Sequence, residues 1–215
     1  MGPDHYISVI ERIEEFIVPF DPPVQAFEKS SSRTPFRTLI SVLLSSRTKD
    51  GVTKKSSEAL FERAETPGTM LALGEEEVAR LIYPVGFYRQ KAKNIIKICE
   101  TLADSDRVPD TFEELTALPG VGRKTANLVL AIAFKQPAIA VDIHVFRISR
   151  RLGWAKGEKP ELVEEELKIL FPPEFWRRIN QALVGFGQTV CKPQKPKCDI
   201  CVLNKECPYF LNQKN

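Results

Sequence analysis

The sequence predicts an all-α protein, and three observations support this prediction. Apolar residues recur at the spacing of one helix face. In the first such segment they are Tyr6, Val9, Ile10, Ile13, Phe16 and Ile17. Clusters of proline, glycine and serine separate these segments. Strand patterns are nearly absent, with the short apolar run 138–141 as the single candidate. We therefore expect helices joined by short turns.

Helical spacing continues along most of the chain. The further predicted helices lie near 36–45, 52–63, 75–82, 89–102, 123–134, 143–152, 161–170 and 174–186. The turn-forming clusters between them are Pro22-Pro23, Ser30–Ser32, Pro67-Gly68, Pro84–Gly86, Pro109-Asp110, Gly157–Pro160 and Pro172-Pro173. Thr111 is followed three residues later by Glu114, which is typical of a capping box, so we expect a short helix to begin after Thr111.

Composition and charge narrow the class of protein. The 215 residues are enough for one large domain or two small ones, each with a buried core. The chain is 43% hydrophobic and 27% charged, as in ordinary globular proteins, which excludes a disordered, collagen-like or fibrous chain. The net charge of +3 permits a nucleic-acid partner without requiring one.

The sequence also bears on cellular location. No apolar run approaches the roughly 20 residues that a membrane span requires. The first twenty residues include Asp4, Glu11 and Arg12, which are not typical of a signal peptide. We therefore expect a cytoplasmic protein that binds no membrane and whose cysteines form no structural disulfides. Because no pattern indicates oligomerisation, we also expect a monomer.

Four of the five cysteines lie close together near the end of the chain. Cys191, Cys198, Cys201 and Cys207 have the spacing C-x6-C-x2-C-x5-C, which lets four thiolates converge on one metal centre. Zinc sites more often contain two C-x2-C pairs. The single pair and its longer arms leave room for an iron–sulfur cluster, so the spacing favours iron–sulfur modestly and leaves zinc open. Cys99 lies in a helical apolar pattern and is expected in the core.

A glycine-containing turn precedes the predicted helix 123–134. Gly120 and Gly122 favour a tight turn with positive φ and close approach of the backbone to another group. The N–H groups at the start of the helix attract an anion such as phosphate. Arg123 and Lys124 oppose the helix dipole, at a cost of roughly 0.3–1 kcal/mol each when exposed. These two cations favour an anionic ligand over a plain helix–helix connection.

Asp142 and His144 begin the next predicted helix. From the pattern alone, Asp142 is best explained as the N-cap of that helix, and His144 as a structural histidine. A lysine and an aspartate at two helix starts, 18 positions apart, nevertheless form a pair that an amine nucleophile can use. The amine must lose its proton before attack, and a carboxylate assists that transfer.

These motifs together resemble the endonuclease III family, within the helix-hairpin-helix glycosylase superfamily. The resemblance is carried by LPGVGRKTAN at 118–127, VDIHVFR at 141–147 and the cysteine spacing. LLSS at 43–46 and GFYRQKA at 86–92 also resemble family segments, so the resemblance extends over nearly the whole chain.

The resemblance implies two helical domains with a DNA-binding cleft between them that holds Lys124 and Asp142. One is a six-helix domain over 29–136, with the helix-hairpin-helix at about 111–134. The other combines 1–28 with 137–215 and carries a [4Fe-4S] cluster in the loop 191–207. The family ligand set implies Cys191, Cys198, Cys201 and Cys207 as the four ligands, and so favours iron–sulfur over zinc.

The resemblance also implies a bifunctional enzyme that acts on duplex DNA containing damaged bases or abasic sites. Lys124 is the implied nucleophile at the sugar C1′, and Asp142 assists it. The resulting Schiff base permits β-elimination, which breaks the strand. The expected substrates are oxidised pyrimidines. Lys124 separates this chain from family members that only remove bases.

Further residues are expected to contact DNA. Those of the glycine turn and the second helix start are Gly120, Gly122, Arg123 and His144. Lys192 and Lys195 of the cysteine-rich loop are expected to lie against phosphates. Two positions depart from the bacterial pattern. Where bacterial members of the family commonly have a glutamine that fills the hole left by the flipped base, this chain has Arg47, which is expected to fill the same hole and donate to the orphan base. Where they often have a leucine wedge, this chain has Phe87, which is expected to stack between bases. The alternatives are a solvated helix-end cation for Arg47 and a core position for Phe87.

Two other functions remain open from the sequence. One is a glycosylase of the same superfamily that removes thymine or uracil opposite guanine. The other is a non-enzymatic iron–sulfur protein that binds DNA or senses redox state, in which Lys124 only contacts phosphate.

Overall fold

The structure, a computed structural model, describes residues 2–24, 34–103, 105 and 107–212, and in these ranges it contains no β-strand. The α-helices are α1 (Pro3–Ile17), α2 (Pro35–Ser45), α3 (Asp50–Phe61), α4 (Pro67–Ile82), α5 (Tyr88–Leu102), α6 (Phe112–Ala117), α7 (Arg123–Ala133), α8 (Ile143–Arg151), α9 (Pro160–Leu170), α10 (Trp176–Thr189) and α11 (Pro208–Leu211). Short 3-10 helices lie at Val18–Phe20, Pro173–Phe175 and Cys198–Ile200. The all-α prediction is confirmed. No helix of the described ranges has both the length and the apolar character of a membrane span.

The chain divides into two compact units. One is continuous, Ser32–Lys135, and the other combines Met1–Ser31 with Gln136–Asn215. The domain boundary predicted between residues 28 and 29 lies outside the described residues.

The core of the discontinuous unit is built from helices far apart in sequence. Ile10 and Ile13 of α1, Val145 and Ile148 of α8, and Phe186 of α10 are buried in one apolar cluster. Burying one such side chain contributes roughly 1.5–3 kcal/mol. This packing fixes α8, and with it the two sequence-predicted site residues at its start.

The run 138–141 is not a strand. Its residues belong to no regular element and its side chains are buried, and no second strand pairs with it in the described ranges. The side chain of Asn180 makes the hydrogen bonds that a second strand would make. Its Oδ1 accepts from Ala140 N at 2.8 Å, and its Nδ2 donates to Ala140 O. One side-chain amide thus satisfies both the N–H and the C=O of Ala140 within this buried segment.

Helix α4 begins earlier than predicted. Pro67-Gly68 is the first turn of this helix and not a turn between elements, since Thr66 caps it by accepting from Thr69 N at 3.2 Å. Proline is tolerated at the first helical position. The prediction near 75–82 corresponds to the part after a break at Gly74, where φ is 76°.

The capping motif at Thr111 opens α6 as predicted. Thr111 Oγ1 accepts from Glu114 N at 3.3 Å and donates to Glu114 Oε2 at 2.7 Å. Helix α6 and helix α7 then form the pair that flanks the glycine turn.

Candidate functional site

The glycine turn between α6 and α7 needs glycine at one of its two positions. Gly120 has φ of 77°, and a Cβ there would collide with the side-chain amide of Asn94. Gly122 is the N-cap of α7 with φ −96° and ψ 176°, and a Cβ there would meet no atom within 4 Å. The prediction of positive φ is therefore confirmed for Gly120 and wrong for Gly122, which is an extended N-cap.

Two cations occupy the first turn of α7. Arg123 and Lys124 are both exposed, and this turn contains no acidic residue. The Arg123 guanidinium lies 4.9 Å from the ring centroid of Phe112, a cation–π contact that accounts for part of its placement. Lys124 presents its amine to solvent at the end of the helix where backbone N–H groups are free of intrahelical partners.

Asp142 is the N-cap of α8, as the pattern alone predicts. Its Oδ1 accepts from His144 N and from Val145 N, each at 2.8 Å. Two hydrogen bonds on one oxygen hold the carboxylate in one orientation. The side chain is partly exposed, so it combines a fixed orientation with access to a ligand.

His144 is held by the half-buried guanidinium of Arg147. Arg147 Nη2 lies 3.1 Å from His144 Nδ1 and donates to Cys191 O at 2.9 Å. Burial lowers the pKa of Arg147. Gly187 packs against this pair, because a Cβ at Gly187 would lie 2.9 Å from Arg147 Nη2. His144 therefore has the structural partner expected of a structural histidine, and it also remains partly exposed.

The four clustered cysteines line one cavity. Cys191, Cys198, Cys201 and Cys207 all line the same cavity, which is partly open to solvent. None of the four forms a disulfide. In the described ranges, no group of His, Cys, Asp or Glu is arranged around a single metal ion. The thiols therefore line the wall of a cavity and do not converge on one point.

Hydrogen-bond donors are directed at the sulfur atoms. Arg151 Nη1 lies 3.3 Å from Cys191 Sγ, and Leu203 N lies 3.4 Å from Cys201 Sγ. Burial raises the pKa of Cys201 to about 11, and burial together with neighbouring cysteines raises the pKa of Cys198. The thiolate forms of Cys198 and Cys201 are therefore unfavourable in this cavity without a compensating cationic centre.

The cysteine-rich loop is bound to α8 through Arg151. Its guanidinium donates to Lys192 O at 2.8 Å and to Pro193 O at 3.0 Å, and it lies 4.1 Å from the ring centroid of Tyr209. The side chains of Lys192 and Lys195 on this loop are exposed. They are thus accessible to an anion while the backbone of Lys192 is fixed.

Arg47 and Phe87 lie together although forty residues separate them. The Arg47 guanidinium carbon is 5.5 Å from the centroid of the Phe87 ring. Phe87 is 64% exposed, so the alternative of a core position is wrong. Arg47 follows the end of α2 and is exposed, but its contact with Phe87 distinguishes it from a plain solvated cation.

Lys91 was not assigned a role from the sequence, and the structure places it beside this pair. It is only 7% exposed and donates to Leu44 O at 2.9 Å and to Ser46 O at 2.6 Å. Its helical spacing with Ile95 and Ile98 on the apolar face of α5 is the signal from which its burial could have been predicted. Cys99, in contrast, is a buried core residue as predicted.

Known proteins resemble this chain in sequence. Residues 40–173 match the family model described as HhH-GPD superfamily base excision DNA repair protein. An endonuclease III of Thermotoga maritima is 49% identical over 190 residues, which cover 87% of this chain and 89% of the relative. An endonuclease III of Escherichia coli strain K12 is 43% identical over 178 residues, which cover 82% of this chain and 84% of the relative.

Solved structures resemble it as well. A trapped endonuclease III–DNA covalent intermediate, the estranged-adenine complex, has a TM-score of 0.88 at 35% identity and matches over 100% of both chains. A thermostable thymine-DNA glycosylase has a TM-score of 0.74 at 26% identity, over 94% of this chain and 98% of that one. The chain therefore belongs to the HhH-GPD superfamily of base excision DNA repair proteins and, within it, to the endonuclease III family.

Proposed function

We propose that this protein is a base-excision-repair DNA glycosylase with abasic-site lyase activity, which removes oxidised pyrimidines from duplex DNA. The observation that carries the proposal is the exposed amine of Lys124 in the first turn of α7, directly after the glycine turn. A covalent intermediate with DNA requires a nucleophile on the protein. The likeness to an endonuclease III trapped in such an intermediate supports Lys124 in that role.

The reaction proceeds through a Schiff base on Lys124. The damaged nucleotide leaves the stack of the duplex. The neutral amine then forms a bond to the sugar C1′, and the glycosidic bond breaks with its electron pair going to the base. The C1′–O4′ bond of the sugar then breaks, O4′ takes a proton, and C1′ remains joined to the lysine nitrogen as a positively charged iminium, the protonated Schiff base. Its positive charge acidifies the C2′ proton. Loss of that proton breaks the C3′–oxygen bond, and the strand on the 3′ side leaves with its phosphate.

Asp142 moves a proton and balances charge in this scheme. It accepts the proton that the Lys124 amine loses on attack, and its carboxylate offsets the positive charge that develops on the sugar. The two hydrogen bonds at Oδ1 support this role because they fix the orientation of the carboxylate.

The remaining exposed residues bind the duplex. We assign phosphate contacts to the turn at Gly120 and Gly122, to Arg123, and to the loop cations Lys192 and Lys195. A helix N-terminus with free N–H groups suits a phosphate. Such contacts fix position without selecting sequence.

Three other residues contact the bases and the flipped nucleotide. Arg47 donates to the orphan base, and Phe87 stacks into the gap that the flipped nucleotide leaves. We assign His144 a place beside the nucleotide, next to Asp142.

We assign a [4Fe-4S] cluster to the cavity of Cys191, Cys198, Cys201 and Cys207. Four thiols around a cavity, with donors directed at two of the sulfurs, suit a cluster of this size. When bound, the cluster would cross-link the loop and take no part in bond breaking. We also propose a cytoplasmic location, associated with the nucleoid through DNA.

A glycosylase acting on thymine or uracil opposite guanine is the second candidate. The likeness to a thermostable thymine-DNA glycosylase favours it. The endonuclease III relatives are more similar in sequence, at 49% and 43% identity, and favour the oxidised-pyrimidine substrate. A panel of thymine glycol, dihydrouracil, G·T and G·U duplexes separates the two candidates.

Borohydride trapping on abasic duplex tests the nucleophile. Lys124→Gln should abolish both trapping and strand cleavage while duplex binding survives, because only the amine is lost. Lys93→Gln, which alters an exposed lysine of α5, is the matched control and should trap normally. Trapping by the Lys124→Gln protein would refute the assignment.

A further inference from the structure

Arg47 and Phe87 share an uncommon backbone conformation. Both have positive φ, 52° for Arg47 and 59° for Phe87, which places them in the left-handed region. This region is unfavourable for residues other than glycine, and such strain persists only where surrounding contacts enforce it. Here the strained pair is exposed at the tips of two turns, so the enforcing contacts lie beneath it.

Lys91 supplies those contacts to the turn of Arg47. Its ammonium donates to Ser46 O at 2.6 Å, on one side of Arg47, and lies 3.3 Å from Thr48 Oγ1, on the other side. Its third contact is Leu44 O at 2.9 Å, in the last turn of α2. All three donors of the ammonium are therefore used. The carbonyls at a helix C-terminus lack intrahelical partners and favour a cation.

The same lysine lies one helical turn from Phe87. Lys91 N donates to Phe87 O at 3.0 Å and closes the first turn of α5. A second link joins the two turns, because Gly86 N donates to Thr48 Oγ1 at 3.1 Å. Gly86 is packed so closely that a Cβ would lie 2.5 Å from Arg47 O. The side chain of Lys91 thus contacts one turn while its backbone begins the other.

We propose that Lys91 is a positioning residue for DNA distortion, which holds Arg47 and Phe87 together so that they enter the duplex as one unit. The inference rests on the proposed function, since it assigns a task within duplex binding. Lys91 itself touches neither DNA nor the reacting sugar, being 7% exposed with its ammonium bound to three oxygens.

Burying the charged ammonium of Lys91 costs free energy, and an apolar side chain in the same space would not have this cost. Each contact of the Lys91 ammonium is to a neutral oxygen, and burial lowers its pKa to about 8. A buried charge is unfavourable unless its hydrogen bonds are made. An apolar side chain would fill the same space but would leave the carbonyls of Leu44 and Ser46 without this donor.

Lys91→Met tests the proposal with Lys97→Met as the matched control, because Lys97 is an exposed lysine of the same helix. The first readout is single-turnover release of thymine glycol from duplex. We expect a loss of about 10- to 100-fold for Lys91→Met, the scale of a displaced positioning group, and no loss for Lys97→Met. Borohydride trapping on a single-stranded abasic oligonucleotide needs no duplex distortion, so it should be unchanged.

A second readout reports on the distortion directly. A duplex with a tetrahydrofuran abasic analogue opposite 2-aminopurine gains fluorescence when the orphan base leaves the stack. The wild type should produce this gain and Lys91→Met should not. In the Arg47→Ala/Phe87→Ala background, Lys91→Met should cause no further loss of base release, because it acts through those two residues. A further loss of the same size in that background would overturn the proposal.

Thr48 provides a second variant that does not depend on Lys91→Met folding. Thr48→Val removes the oxygen shared by Lys91 and Gly86, and Thr48→Ser retains it. We expect slower duplex base release for Val and recovery for Ser. Equal activity of the two variants would overturn the proposal, as would full duplex activity of Lys91→Met. A wild type that neither cleaves nor traps abasic DNA would instead refute the proposed function.

Discussion

Asp142 has a structural role and a proposed chemical role, and two substitutions separate them. Its Oδ1 accepts two backbone hydrogen bonds of 2.8 Å at the start of α8. Asp142→Asn keeps an oxygen at that position and removes the negative charge. Asp142→Ala removes both. Protein stability should therefore distinguish the two variants, whereas catalytic activity should not.

The expected changes in stability follow from the cap geometry of Asp142. Loss of an N-cap side chain costs about 0.5–2 kcal/mol, and loss of a charge at a helix N-terminus costs about 0.3–1 kcal/mol. For a chain of this size, 1 kcal/mol corresponds to roughly 2–4 °C in Tm. We expect Tm to fall by roughly 1–4 °C for Asp142→Asn, and by roughly 2–12 °C for Asp142→Ala, which incurs both losses.

Single-turnover release of thymine glycol from duplex, measured beside calorimetric Tm, tests the separation. Both Asp142 variants should lose activity by roughly 10²–10⁴-fold, the range for a positioned acid–base group. Duplex binding should be retained in both. The chemical role is refuted if Asp142→Asn releases the base at the wild-type rate, or if the loss of activity follows the loss of Tm.

Three further predictions concern the cluster, the glycine turn and the buried lysine. The purified protein should be yellow-brown with about four irons per chain, and Cys201→Ser should weaken duplex binding before it slows the chemistry. Stoichiometric zinc without visible absorbance would contradict the cluster. Gly120→Val requires φ of 77° from a β-branched residue and crowds Asn94. This substitution should weaken binding to all duplexes alike and reduce the slope of log affinity against log salt concentration by about 0.9, the value for one phosphate contact. A change in sequence preference would contradict the phosphate contact. Burial lowers the pKa of Lys91 from 10.5 to about 8, so between these values the unfolded chain holds a proton that the folded chain has released. The stability of the wild type relative to Lys91→Met should therefore rise with pH across this window, by up to about 3 kcal/mol in urea unfolding. If the difference in unfolding free energy between the wild type and Lys91→Met stays constant with pH, the lowered pKa of Lys91 is refuted.

Helices with a sustained apolar period could be predicted from the sequence, whereas exceptions depend on contacts that no local pattern contains. The start of α4 at Pro67 depends on the Thr66 cap, since the same dipeptide without a cap is typical of a turn. The buried run 138–141 is hydrogen-bonded at Ala140 by Asn180, some 40 residues away, and not by a neighbouring strand. In both cases the structure depends on a side-chain hydrogen bond that the apolar pattern does not contain.

In the candidate site too, features that depend on neighbouring residues could be predicted from the sequence, and features that depend on distant contacts could not. Asp142 could be predicted as an N-cap and Cys99 as a core residue, because each depends on its immediate neighbours. The contact between Arg47 and Phe87 could not, because it joins the ends of two helices. The contacts of the Lys91 ammonium also could not be predicted from local pattern alone, because it donates to Leu44 O and Ser46 O at the end of α2.

The discontinuous unit has a consequence for how the chain folds during synthesis. Ile13 of α1 belongs to the same core as Leu183 of α10, which is made 170 residues later. At a synthesis rate of about 5–20 residues per second, α1 waits roughly 10–35 s for that partner. The continuous unit Ser32–Lys135 is synthesised completely within this interval. On the ribosome, the apolar face of α1 therefore lacks its partner helix during this interval, while the glycine turn between α6 and α7 is synthesised before the cysteine-rich loop.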